Sequence, residues 1–342
     1  MNKIGVLLVN LGTPDSTKPE DVRKYLIEFL TDPRVIDFSW LKRQILVRGL
    51  IVPNRYKDSA KNYARVWTEE GSPLRTHSNK VRELLQNELG QAYQVELAMR
   101  YQYPSIGDTL NKMRNCSELI VIPLFPQYAS ATSGSVNQKV MEEISKWLTI
   151  PEIRFVNSYP THPQMIAAFC ARAREYNLED YDHYIFSFHG LPERQLKKAD
   201  AHNHCLKTDN CCSKMCPKNQ NCYSAQCHST AQAIYGQLGI DKELCTICFQ
   251  SRLGKEPWLR PYTSDVIEEL LHQGKKNVLV FSPAFVCDCL ETIDEIGREY
   301  HEEFTKNGGE RFDLVKGLND HPLWIEALMN IVNSEKKILS KC

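Results

Sequence analysis

The chain lacks a charge excess of either sign: 42 Lys and Arg balance 42 Asp and Glu over 342 residues. A neutral surface argues against a protein that holds nucleic acid through a basic face. No apolar run approaches membrane-spanning length, and the longest near the start, Ile4–Val9, is far too short. That start carries a single Lys3 and no small-residue cleavage pattern, so no signal peptide is expected and a cytoplasmic location is. Neither a G-x-G-x-x-G nor a Walker A glycine loop occurs, which leaves a nucleotide cofactor without support. No fixed-period repeat is visible, so a solenoid is not expected.

Cysteine, in contrast, is plentiful, with 13 residues. In a reducing compartment these are not a disulfide framework. Cys116 and Cys170 are scattered and read as small core residues. Cys245 and Cys248 have redox-pair spacing, but they fall in an apolar strand pattern that sends their side chains to opposite faces, so both read as core. Six others crowd between Cys205 and Cys227 with the spacing C-x5-C-C-x3-C-x5-C-x4-C. They occupy a polar stretch, 202–223, without helical or strand periodicity. Such a loop needs a staple other than a core. Zinc on thiolates with His202 or His204, and a two-iron two-sulfur cluster on four thiolates, both fit the spacing.

The length suggests two domains. Short apolar runs at 4–10, 94–100, 118–124, 183–188, 245–250, 277–282 and 312–315 predict strands. Amphipathic stretches at 18–30, 78–89, 104–114, 135–147, 162–176, 224–238, 263–273, 289–305 and 321–335 predict helices. This alternation predicts an α/β fold with parallel sheets flanked by helices. In such folds ligands sit at the carboxyl ends of the strands. Two post-strand segments there carry ionisable groups. His189, in Ser187-Phe188-His189-Gly190-Leu191-Pro192, ends a strand where a neutral imidazole can take a proton or ligate a transition metal. The plain alternative is a structural histidine. Glu291, in Asp288-Cys289-Leu290-Glu291-Thr292, opens a helix after another strand. Asp288 could cap that helix and Glu291 complete a capping box, although a first-turn carboxylate also faces the cleft above the sheet.

Seven segments in order resemble the motifs of ferrochelatases: N-L-G-T-P (10–14), E-G-S-P-L (70–74), M-R-Y-Q-Y-P (99–104), P-Q-Y-A-S-A-T-S-G-S (126–135), S-F-H-G-L-P (187–192), F-Q-S-R-L-G-K-E-P-W-L-R-P-Y-T (249–263) and D-C-L-E-T (288–292). The resemblance covers nearly the whole chain outside the cysteine-rich insert. It implies a lyase that inserts ferrous iron into protoporphyrin IX in haem biosynthesis. It implies two Rossmann-like domains of the chelatase type, 1–157 completed by 316–342, and 158–315 containing the insert at 202–223. Metal insertion requires a base for the two departing pyrrole protons and borderline ligands for the ferrous ion, and the resemblance gives these roles to His189 and Glu291. Leu11, Ser72, Arg100 and Tyr101 are expected to hold the porphyrin.

Trp40, Leu41, Ile45, Leu46, Leu50 and Ile51 either form an apolar lip around that ligand, with a peripheral membrane contact, or are the inner stripe of an amphipathic helix. Two departures from the family pattern stand out. Cys289 occupies the place of a histidine in animal members, so a proton relay through that histidine does not carry over. Leu11 stands where the coproporphyrin-using branch has tyrosine, which favours protoporphyrin.

Animal ferrochelatases hold an iron–sulfur cluster with one internal and three C-terminal cysteines, whereas here the last helix is followed closely by Cys342. A set of bacterial members carries the cluster in an internal cysteine-rich segment like this one. That resemblance assigns a 2Fe-2S cluster to Cys205, Cys212, Cys216 and Cys222, with Cys211 the alternate for Cys212 and zinc the alternative metal. Two other functions fit the same residues: a chelatase for another tetrapyrrole and metal, and a non-enzymatic iron or redox sensor working through the cluster. Oligomeric state is not legible.

Overall fold

The computed structural model describes residues 3–208 and 210–334. Its core is two four-stranded parallel sheets. The first comprises β1 (Ile4–Gly12), β2 (Tyr93–Tyr101), β3 (Glu118–Pro123) and β4 (Glu152–Phe155), in the order β2-β1-β3-β4. The second comprises β5 (His183–His189), β6 (Cys245–Gln250), β7 (Asn277–Phe281) and β8 (Arg311–Leu314), in the order β6-β5-β7-β8. The second sheet therefore repeats the connectivity of the first. All seven expected strands form; β4 was not expected, because Glu-Ile-Arg-Phe is a short edge strand with little alternation.

Strand alternation explains the layering. Val6 and Leu8 face one core and Leu7 and Val9 another, as a side-chain period of two requires. The first of these cores is shared by both sheets. It includes Phe186, Phe281 and Trp324 and lies among the helices Pro163–Ala173, Tyr223–Leu238 and Pro322–Asn333. The outer faces have their own cores, one around Leu119 and Val136, the other around Ile185 and Phe304. Cys245 packs on the shared core and Cys248 on the outer one, so the two point to opposite faces as expected. Cys116 and Cys170 are buried, and so is Cys227.

The expected helices are present with shifted ends; the 78–89 helix starts earlier, at Pro73. The 321–335 helix is described as Pro322–Asn333, and residue 335, the tail of the 316–342 segment and Cys342 lie outside the described residues. Between β1 and β2 an additional run was not expected in full: helix Trp40–Ile45, a π-helical turn Leu46–Ile51 and helix Val52–Val66. Helix Glu193–Ala199 was likewise missed, because seven residues give too few repeats for a period. The described residues of the insert, 202–208 and 210–222, are irregular turns, as expected.

Both order reversals place a crevice at the carboxyl edge, between β1 and β3 and between β5 and β7. The two halves are clasped beside the second crevice. Arg194 pairs with Asp37 and Glu256, and Gln195 Nε2 donates to the Val35 carbonyl at 3.0 Å.

Candidate active site

His189 is the last residue of β5 and is half-buried. Its Nδ1 lies 2.7 Å from the Gly190 carbonyl oxygen, which only accepts. Nδ1 therefore carries the proton, and the Nε2 lone pair is left free to take a proton or bind a metal. The turn that follows needs glycine at 190: a Cβ there would stand 2.8 Å from the Gln250 carbonyl oxygen and 3.2 Å from the Trp258 ring.

Glu291 begins a ten-residue π-helix, Glu291–Tyr300, reached from β7 by a tight loop. The expected capping box does not form. Thr292 Oγ1 takes the capping place, accepting from Cys289 N at 2.9 Å. Asp288 instead anchors the loop after β8, accepting from Asn319 Nδ2 at 2.6 Å and Gly317 N at 3.1 Å. Glu291 is thereby released from capping. Its carboxylate lies against the Cys289 thiol, which burial, and then the Glu291 charge, push well up. π-Helical turns are wide and recur at functional sites, and residues four apart here keep to one side. Glu295, which sequence reasoning missed, follows Glu291 at that spacing. It lies within electrostatic reach of both His189 and Glu291. Burial raises the Glu295 carboxyl, a Ser251 hydrogen bond and the His189 imidazole lower it, and Glu291 raises it again. A second carboxylate one turn beyond a suspected acid on the same helix was the signal available.

The π-helix is fixed to the first half by Asp294, which is 3% exposed and pairs with Arg298 at 2.5 Å and with Arg65 at 3.6 Å. Beside Glu291 lies an apolar aromatic wall of Tyr25, Tyr63, Phe29 and Trp67, with Leu11 and Leu290 packed on it. Leu11 thus stands near the acidic helix, as its place at the end of β1 requires. The other expected porphyrin contacts are placed differently. Tyr101 is fully buried, its hydroxyl donating to Asp32 Oδ2 at 2.9 Å, and Arg100 Nη2 donates to the same oxygen at 2.6 Å. Ser72 is buried and shares a 2.9 Å hydrogen bond with Thr13. Tyr101 and Ser72 therefore have no free surface for a ligand and act as support for the residues around them. The reading of the 40–51 apolar residues as the inner stripe of a helix is not met: the buried residues of this run are Arg43 and Val47, Leu46 and Ile51 are half-buried, and Trp40, Leu41, Ile45 and Leu50 are 57–67% exposed. Leu41, Ile45 and Leu50 border an open groove of about 640 Å³.

In the insert, Cys205 Sγ lies 3.9 Å from Cys222 Sγ, and Cys211 Sγ lies 3.6 Å from Cys212 Sγ. Through close contact with Cys205 and Cys212, the Cys222 thiol is held below its usual range and the other two are raised. The Leu206 backbone N–H donates to Cys211 Sγ at 3.3 Å. Cys216 makes no such sulfur contact among the described residues; its N–H goes to Asn219 Oδ1. Among those residues, no three His, Cys, Asp or Glu side chains are already arranged to hold a metal ion. No helix among them is long and apolar enough to cross a membrane.

The family described as "Ferrochelatase" matches residues 3–336. A ferrochelatase of Legionella pneumophila (strain Lens) is 43% identical over 331 residues, 97% of this chain and 99% of that protein. One of Coxiella burnetii (strain Dugway 5J108-111) is 40% identical over 341 residues, 98% of this chain and 95% of that protein. Among solved structures, SirB from Bacillus subtilis with Fe3+ superposes with a TM-score of 0.56 at 12% identity, covering 96% of this chain and 94% of that one. At that identity the superposition speaks for the chelatase fold alone.

Proposed function

The chain belongs to the ferrochelatase family, and we propose that His189 and Glu291 are the residues with which it carries out metal insertion. The activity is that of a porphyrin metal chelatase, a lyase of haem biosynthesis that inserts Fe2+ into protoporphyrin IX. Two N–H protons leave the macrocycle for each ferrous ion that enters. In this reading the free Nε2 of His189 accepts one. The carboxylates of Glu291 and Glu295 draw off the other and present oxygen ligands to the incoming iron, a borderline ion suited to imidazole and carboxylate. The observation that supports the proposal is that His189 ends β5 at the β5/β7 crevice with its Nε2 free, within electrostatic reach of Glu295 on the helix that Glu291 begins. H189A and E291Q are expected to fold normally and lose at least about a hundredfold in iron insertion. Full turnover in both would end this assignment.

Leu11, on the aromatic wall, and Arg100, through its exposed edge, are the proposed porphyrin contacts. The division into domains 1–157 with 316–342, and 158–315, follows the two sheets and remains part of the proposal. The exposed apolar residues of 40–50 are proposed to touch a membrane surface peripherally, where porphyrins partition. A cytoplasmic location completes the reading, since thiols stay reduced there.

A 2Fe-2S cluster is proposed on Cys205, Cys211, Cys212 and Cys222. Two thiolates on one tetrahedral metal, with bonds of about 2.3 Å, stand about 3.8 Å apart, which is the spacing of both sulfur pairs. The alternate Cys211 thus replaces Cys216 in the set. The group would bind the insert together and add a redox-active centre. Zinc on the same thiolates is the competing occupant.

A further inference from the structure

Three groups fix the end of β5, and one of them comes from the insert side. Pairing of β5 with β7 stops at Phe186 and Phe281, so the last three residues of β5 lack that neighbour. On the other side, β6 still pairs His189 with Gln250, and Gly190 N donates to the Gln250 carbonyl at 2.9 Å. The His189 carbonyl is taken by the hydroxyl of Tyr223 at 2.8 Å. The His189–Gly190 peptide is therefore held at both ends, by Gln250 at its N–H and by Tyr223 at its C=O. The Gly190 carbonyl just beyond it sets the imidazole tautomer.

Tyr223 is also the first residue of helix Tyr223–Leu238, whose N-cap is Cys222. The Cys222 sulfur lies 3.9 Å from that of Cys205, so the start of this helix is tied to the insert both along the chain and through that sulfur contact. The phenol is buried and donates to a carbonyl oxygen, which only accepts. Cys222 and Tyr223 line a cavity of about 90 Å³ together with Leu191 and Leu196 from the segment after His189.

We infer that Tyr223 is a positioning residue for His189, and that through it the thiol cluster of the insert is mechanically tied to the metal-insertion site. The inference rests on the assignment of His189 above. Nothing in the chemistry of iron insertion requires Tyr223 to touch substrate. Its contribution is to hold the peptide from which the imidazole is aimed.

The experiment uses the full chain and the variants Y223F, C205S and the double variant, with H189A as control. Two quantities are read: steady-state metal insertion into porphyrin, and amide hydrogen exchange of residues 188–192. Y223F is expected to lower kcat by about tenfold to a hundredfold, as small misplacements of reacting groups do, with porphyrin KM within about twofold. Exchange at 188–192 should quicken in Y223F and in C205S, and C205S should add nothing further in the Y223F background. Wild-type kcat and exchange in Y223F would overturn the positioning role. Unchanged exchange in C205S, or independent effects in the double variant, would overturn the tie. Should Y223F fail to fold, the exchange of C205S alone decides the matter. A fully active H189A would sink the assignment of His189, an outcome distinct from a normal Y223F beside a dead H189A.

Discussion

The Ser251 hydroxyl donates to Glu295 Oε2 at 2.6 Å, joining the loop after β6 to the π-helix that carries Glu291. Ser251 adopts a left-handed backbone, φ 64°, to make that contact, a conformation that non-glycine residues take rarely. The bond matters because it acts on a carboxyl whose charge burial opposes.

Glu295 should make stability depend on pH. Burial raises its folded-state pKa above the ordinary 4.5, despite the lowering by Ser251 and His189. Below about 4.5 both folded and unfolded chains are protonated, and nothing is lost. As pH rises from there through the folded-state value, the native protein retains a proton that the unfolded chain has released, and stability falls. E295Q should abolish that fall, whereas S251A should raise the pKa further and extend the loss to higher pH. Urea unfolding at intervals between pH 4 and 8 tests this; parallel curves for all three proteins would refute it.

Asp32 is the hub beneath Arg100. It is 3% exposed and accepts from Arg100, Tyr101 and Ser135 on a single oxygen. D32A removes the anionic partner and leaves a half-shielded guanidinium and two hydroxyls without their acceptor. A loss of about 3 kcal/mol in urea unfolding is expected, the low end for a broken buried pair because Arg100 retains some solvent access. A loss below about 1 kcal/mol would mean that water replaces the carboxylate at little cost.

The cysteine set makes a sharp prediction. C205S, C211S, C212S and C222S should each yield colourless protein, while C216S keeps the red-brown visible spectrum and about two irons per chain. If C216S bleaches and C211S does not, the pairing of Cys211 with Cys212 is misleading and Cys216 belongs in the set. Zinc without iron in the wild-type protein would replace the cluster altogether.

The exposed lip should govern membrane contact. Burying one large apolar side chain is worth about 1.5–3 kcal/mol, so I45S/L50S should weaken cosedimentation with anionic vesicles by at least about tenfold. Iron insertion into a detergent-dispersed porphyrin should hold steady. Equal vesicle binding by variant and parent would remove the lip as a membrane contact.

By itself the sequence determined the sheet strands, through apolar runs of strand length. It also singled out His189, at a strand end, and Glu291, at a helix start beyond another strand, because ligands sit at the carboxyl edge of such sheets. The buried fate of Cys116, Cys170 and Cys248 was legible in the sequence, whereas Cys245, read as core as well, is only half-buried. Only the tertiary structure decided what those groups touch. Glu295 lies four residues beyond Glu291 on one helix, a spacing the sequence shows, but only the packing of that helix beside the end of β5 brings it within reach of His189. Tyr101 and Ser72 left the ligand for the interior because their partners, Asp32 and Thr13, lie 69 and 59 residues away. The 3.6 Å approach of the Cys211 and Cys212 sulfurs, and the lack of one at Cys216 among the described residues, come from irregular turn geometry, which spacing along a chain does not encode.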